Sequence, residues 1–275
     1  MCGRATIVTP QIDLEKRFKA VFKNDVSLPE NVNISAGEQL PVITSEDPGT
    51  IQLFTYGFTP HWAHKQTYML NARSEGSNNI ENDRDYKGPL GIFNKPMFRE
   101  AIKSQRCLIL VDAFIEGPKQ EKLNRPYLVY PNRDRGPFAI AGIYDTWKHP
   151  LTGEIHHTVA MVTTTANRLI SRIGHHRSPV ILSKQDEQKW LQPDLSITEI
   201  SNLMKPFESK GFNAYPISQK IKKPDANGLE LLKPTGEKLF KDYDRCLYER
   251  LKYAEDHSFT IREERLVEGD QFILF

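Results

Sequence analysis

The order of the apolar segments sets the tightest limit on the fold. Residues 40–44, 51–58, 106–114, 127–130, 138–144 and 157–164 are rich in β-branched and aromatic side chains and read as strands. They do not alternate regularly with helical segments. A doubly wound parallel sheet is therefore disfavoured, and an α+β fold with a mixed or antiparallel sheet is expected. A short strand over residues 5–8 opens the chain. Thr9-Pro10 then reads as an N-cap followed by proline at the first helical position, with Leu14, Phe18, Val21 and Phe22 along one helical face. Helical patterns also cover 184–191 and 197–204. After Pro234 the character changes: 236–256 is charged and helical in pattern, and 259–267 and 271–275 read as strands. The expected organisation is one domain over 1–234 and a C-terminal extension over 235–275.

Composition narrows the class. With 275 residues, 39% of them hydrophobic, the chain can bury a sizeable core. Lys plus Arg is 37 and Asp plus Glu is 35, a formal net charge of +2. That balance excludes a wholly basic histone-like binder and a self-repelling disordered chain, but it leaves room for a local basic groove. Two basic clusters, Lys95-Arg99-Lys103-Arg106 and Lys220-Lys222-Lys223, read more simply as solvated faces. No stretch approaches the roughly 18 apolar residues of a membrane span, and the N-terminus has no apolar region of the secretory kind. Three cysteines without a CxxC pair point to a reduced, cytoplasmic protein. There is no metal-ligand spacing and no phosphate-loop, dinucleotide or nucleophile-elbow motif, so no metal and no cofactor are expected.

The residues that can carry chemistry are few. Cys2 follows a Met1 that is expected to be removed. An N-terminal cysteine carries a thiol and an α-amine on adjacent carbons, and the amine, with a pKa of about 7.7–8.0, is partly neutral near pH 7. Such a group condenses with an aldehyde to an imine, and the thiol then closes a five-membered thiazolidine with the advantage of an intramolecular reaction. On position alone, an ordinary second residue with an unremarkable thiol is the favoured reading of Cys2. His175 and His176 stand between Gly174 and Pro179; on an extended segment their side chains face opposite ways, so one of them at most is expected in a given pocket. A histidine there can move protons near pH 7. Glu116 ends the apolar run from Cys107 to Ile115, where partial desolvation raises a carboxyl pKa. Asp112, four residues earlier, competes for the same role. Asn71 and Arg73 share a strand face, and an amide beside a guanidinium suits a phosphate-bearing ligand; a surface ion pair of Arg73 with Glu75 is the simpler alternative.

Read in order, these pieces resemble the SRAP family of SOS response-associated peptidase proteins. The resemblance is carried by Cys2-Gly3-Arg4, Asn71-Ala72-Arg73-x-Glu75, Asp112-x-Phe114-x-Glu116, Thr163-Thr164-Thr165-Ala166-Asn167 and His175-x-Arg177-x-Pro179. Tyr56-Gly57-Phe58-x-Pro60-x-Trp62 adds to it, and roughly residues 2–234 are covered. It implies an α+β fold around a barrel-like sheet with peripheral helices, acting as a monomer on single-stranded DNA that contains abasic sites. The implied activity is capture of the ring-opened abasic sugar as a covalent thiazolidine, with lyase or crosslink-reversal activity in addition. The implied catalytic residues are Cys2, Asn71, Glu116 and His175. Arg4, Arg73 and Arg177 match DNA-backbone arginines. Trp62 matches an aromatic position near the DNA, and a core tryptophan fits that position as well. The chain departs from the family where Gly117 replaces a usual Trp, Ser178 a Met and Tyr56 a Trp. The competing readings are an N-terminal-nucleophile peptidase using the Cys2 thiolate, and a non-covalent binder of modified DNA.

Overall fold

The computed structural model describes residues 3–23, 26–132, 136–241 and 244–255. Its strands are β1 (Arg4–Ile7), β2 (Val21–Phe22), β3 (Asn31–Ile34), β4 (Gln39–Thr44), β5 (Thr50–Tyr56), β6 (Asn71–Arg73), β7 (Arg106–Val111), β8 (Ala113–Glu116), β9 (Tyr127–Pro131), β10 (Phe138–Lys148), β11 (Ile155–Thr165), β12 (Arg177–Pro179) and β13 (Phe212–Pro216). The helices are α1 (Gln11–Phe18), α2 (Ala101–Ser104), α3 (Arg168–Ile173), α4 (Lys184–Leu191) and α5 (Ile197–Leu203). Residues 247–255 are also helical.

Part of the larger sheet closes on itself. β11 pairs with β10, β10 with β7, β7 with β4 and β4 with β5, each antiparallel. β5 then returns to β11 in parallel through Thr55↔Thr158 and Tyr56↔Val159. Closure removes the open edges that such apolar strands would otherwise expose. β6 continues the β5 side of β11 and β12 continues the β10 side, pairing at Thr163↔Arg73 and Thr163↔Pro179. The expected mixed, barrel-like sheet is the one that forms.

A second sheet runs β13-β9-β8-β1-β3. Its central strands alternate between two cores. Phe114, Val129 and Ala214 join the main core, while Ala113, Ile115 and Leu128 face a smaller one with Tyr215, Ile221, Leu232, Cys246 and Leu247. Residues 106–114 are not the single strand expected, for they divide between β7 and β8. The run breaks at Asp112, whose carboxylate accepts the Val8 N–H at 2.7 Å, the Thr9 N–H at 2.8 Å and the Thr9 hydroxyl at 2.5 Å. Those bonds turn the chain from the barrel into the second sheet and commit Asp112 to structure.

Other expectations are corrected by packing. α1 stops at Phe18, with Lys19 in the left-handed region, so Val21 and Phe22 form β2 instead of extending the helical face. Pro10, not Thr9, occupies the cap position. Arg106 belongs to no surface cluster. It is fully buried, and its guanidinium donates to the carbonyls of Trp190 (2.9 Å), Ile102 (3.1 Å), Lys103 and Gln192, where α2 and α4 end. The described part of 236–256 is not helical throughout. Leu239 N–H instead donates to the Ala214 carbonyl, laying 236–241 along β13. The expected strands at 259–267 and 271–275 lie outside the described residues.

Candidate functional site

Three chain segments meet at one cavity of about 610 Å³. β1 and β8 pair with Arg4 opposite Ile115, which brings Gly3 to the end of β8, where Glu116 stands. The third segment follows α3. Asn167 caps that helix by accepting the Ile170 N–H at 2.9 Å, and Gly174 ends it at φ 92°, a left-handed conformation that favours glycine. The chain then bends through His175 and His176 before β12 begins. Gly3, Glu116, His175 and His176 all line the cavity.

Both histidines therefore face one pocket, against the expectation of one at most. The helix end and the bend replace the extended segment on which that expectation rested, and the two rings lie 4.7 Å apart. Burial holds both imidazoles down to about 4, with Lys119 adding to the effect at His176. Both are thus neutral at pH 7. His175 Nδ1 lies 3.0 Å from the Arg177 carbonyl oxygen and 3.5 Å from Glu116 Oε2. The Arg177 N–H lies 3.2 Å from the same Nδ1, so this nitrogen accepts that bond in one tautomer and donates to the carbonyl in the other.

Glu116 is 4% exposed, and burial pushes its carboxyl up to about 7, although the Gly117 N–H donates to Oε1 at 3.1 Å. A carboxyl that titrates at neutral pH beside a neutral imidazole can give and take protons within a single reaction. Among the described residues no group of three or more His, Cys, Asp or Glu side chains is arranged to hold a metal ion.

The other sequence candidates fall at different distances from this centre. Cys2 lies outside the described residues; Gly3, which follows it in sequence, lines the cavity. Asn71 opens β6 opposite Met161, and Arg73 closes it opposite Thr163. The positive charge of Arg73 bears on both His176 and Arg177. Arg73 stands 3.9 Å from Glu75, whereas Arg177 holds the same carboxylate at 2.8 Å and also donates to the Thr163 carbonyl at 2.8 Å. The Arg177 side chain is 4% exposed. The Arg4 guanidinium donates to Asn33 Oδ1 at 2.7 Å and to the Lys222 carbonyl at 2.9 Å, while the residue still lines the cavity. Trp62 is 52% exposed on the loop between β5 and β6, so the core reading of this tryptophan fails. Core tryptophans exist elsewhere: Trp147 is buried and its indole N–H donates to the Ala63 carbonyl at 2.7 Å, propping that same loop.

Sequence reasoning missed the cavity wall that Gly117, Pro118, Lys119, Glu121, Lys122, Leu123 and Asn124 supply together with Lys222. The only advance signal was Lys119, Lys122 and Lys222 lying near Glu116 and in a basic cluster, a pattern that solvated faces share.

The family model described as SOS response associated peptidase (SRAP) matches residues 1–224. The chain belongs to the SRAP family. Among its SRAP relatives is the "Abasic site processing protein YoqW" of Bacillus subtilis (strain 168), 28% identical over 242 residues, covering 84% of this chain and 99% of that one. The "Abasic site processing protein HMCES" of Gallus gallus is 28% identical over 188 residues, covering 59% of this chain and 51% of that one. The solved structure of a protein from Bacteroides thetaiotaomicron superimposes with a TM-score of 0.71 at 31% identity, over 85% of this chain and all of that one.

Proposed function

We propose that this SRAP protein processes abasic sites in single-stranded DNA by trapping the damaged sugar on Cys2. The ring-opened sugar presents an aldehyde. The Cys2 amine condenses with it, forming a C=N bond and releasing one water, and the thiol S–H then adds across that bond to close a thiazolidine. No oxidant or reductant is needed. Glu116 serves ring opening and the proton transfers that expel water, because it is poised near pH 7. His175 is the neutral base beside it, for the imine step and for reversal. Asn71 orients the amine or the sugar. Arg73, the most exposed of the three arginines, serves the DNA backbone, while the buried Arg4 and Arg177 brace the site through Asn33 and Glu75, and Trp62 offers a face on which a base stacks. One observation carries the reading: a buried Glu116–His175 pair 3.5 Å apart lines a cavity that is also lined by the neighbour of Cys2. The relatives' names support it.

The test is incubation of the processed protein with an abasic single-stranded oligonucleotide. A heat-stable adduct is expected, with a mass equal to protein plus DNA minus one water, and Cys2→Ala should abolish it. An adduct that survives in Cys2→Ala refutes the mechanism. A peptide product in place of an adduct would favour the peptidase alternative.

A further inference from the structure

A second cavity, of about 530 Å³, opens between α1 and α4 and shares no lining residue with the one at Glu116 and His175. Lys184, Glu187, Gln188 and Leu191 line it from one face of α4, at the i, i+3, i+4 and i+7 positions that stack along a helix. Arg17 and Phe18, which end α1, and Lys19 after them form the facing wall. Ile43 of β4 and Leu108 of β7 are direct partners in the barrel and lie between the two walls. The result is a groove with an aliphatic floor and polar sides.

Its charge is one-sided. Among the described residues that line the groove only Glu187 is acidic, and Arg17 already neutralises it, donating from Nη1 at 3.0 Å and from Nη2 at 2.6 Å. That pairing leaves Arg17 Nε buried with no hydrogen-bond partner among the described residues, a donor that calls for an acceptor. Lys19 and Lys184 stand exposed at the rim. The groove offers little to a nucleobase, because Phe18 is the one aromatic residue of the lining and the Arg17 guanidinium is stacked over it at 4.3 Å. An aliphatic floor ringed by cations instead complements an acidic peptide that carries an apolar side chain.

We propose that this groove docks an acidic segment of a partner protein. An apolar side chain of the segment rests on Ile43, Leu108 and Leu191, and its carboxylates meet Arg17 Nε, Lys19 and Lys184. The surface is independent of the abasic-site reading. A partner seated there leaves the cavity at Glu116 open, so the protein is held through one face and acts through another. Acidic segments of this kind are disordered when free and become ordered on docking, which keeps the affinity modest.

The probe is a fluorescein-labelled peptide of four aspartates followed by leucine and phenylalanine, titrated with the full chain and read by fluorescence anisotropy. Saturable binding is expected. Exchanging the leucine and phenylalanine for serine should weaken it about tenfold or more, as loss of buried apolar area demands. Lys184→Glu should weaken it about fivefold by turning an attraction into a repulsion. That variant should fold, because an acidic residue in the first turn of α4 suits the helix dipole, and it should form the abasic-DNA adduct at the unaltered rate. Should it fail to fold, Lys19→Asn decides, since asparagine suits the left-handed backbone there, and it too should weaken binding. No saturable binding up to about 1 mM peptide overturns the proposal. Equal affinity for the serine peptide also overturns it, as does an affinity unchanged in the folded variant. Displacement of the peptide by a single-stranded oligothymidylate would give the groove to nucleic acid and overturn it as well.

Discussion

Replacing Glu116 with glutamine should make the protein more stable at alkaline pH while removing its proton-transfer group. The buried carboxyl titrates at about 7, against an ordinary value of 4.5 for the unfolded chain. Between those two values the folded state holds a proton that the unfolded state has released. Stability contributed by this group is therefore fully present below pH 4.5, falls as pH rises toward 7, and levels off above it. A shift of that size is worth about 3 kcal/mol at pH 8. Glutamine has nearly the same shape and can still accept the Gly117 N–H, but it never ionises. The advantage of Glu116→Gln over the unaltered protein should thus grow by about 2–3 kcal/mol between pH 5 and pH 8. In a domain of this size that corresponds to a relative rise in Tm of roughly 5–10 °C. Taking the difference between two pH values cancels any local hydrogen-bond change, which thermal or urea unfolding would otherwise mix in. Abasic-DNA capture should fall in the same variant. An advantage that stays constant with pH, or that shrinks as pH rises, would refute burial as the source of the raised pKa.

Two further substitutions test the frame around the site. Arg106→Lys keeps the charge but loses the planar fork that reaches the carbonyls at the ends of α2 and α4; urea unfolding should show a loss of about 2–4 kcal/mol, and a loss under 0.5 would contradict that role. Asp112→Ala strands the Val8 and Thr9 donors at the turn between sheets. It should cost about 2 kcal/mol of stability and leave adduct formation intact at temperatures where the protein is folded, whereas selective loss of capture would restore Asp112 as a candidate acid.

Local chemistry was legible where neighbouring residues decide it. The strand segments followed from their β-branched and aromatic content, and α4 runs over the same residues that its periodicity marked. Ser183 and Ser196 cap α4 and α5 by accepting N–H groups three residues on, as their residue type suggests. Glu116 was readable as a desolvated carboxyl because it ends an apolar run. What failed were inferences that extended one local pattern too far: a helical face carried through Lys19, a strand carried through Asp112, and an extended backbone assumed across His175 and His176. In each case a turn held by bonds to distant residues, or by a left-handed residue, overrode the period.

The chain by itself determined which residues are chemically able to act, since a thiol, a carboxyl or an imidazole is a property of the residue. It also determined the sheet-rich class, since side-chain branching and alternation are local. Only the tertiary structure decided which of two candidate carboxylates is poised for proton transfer. Asp112 and Glu116 are both buried, but the first is saturated by backbone donors and the second faces an imidazole across a cavity. The same holds for the lysines at 119, 122 and 222: distance in sequence hides that they share one wall. A pKa and a binding surface are set by what comes within a few ångströms in space, and only closure of the two sheets brings those groups together.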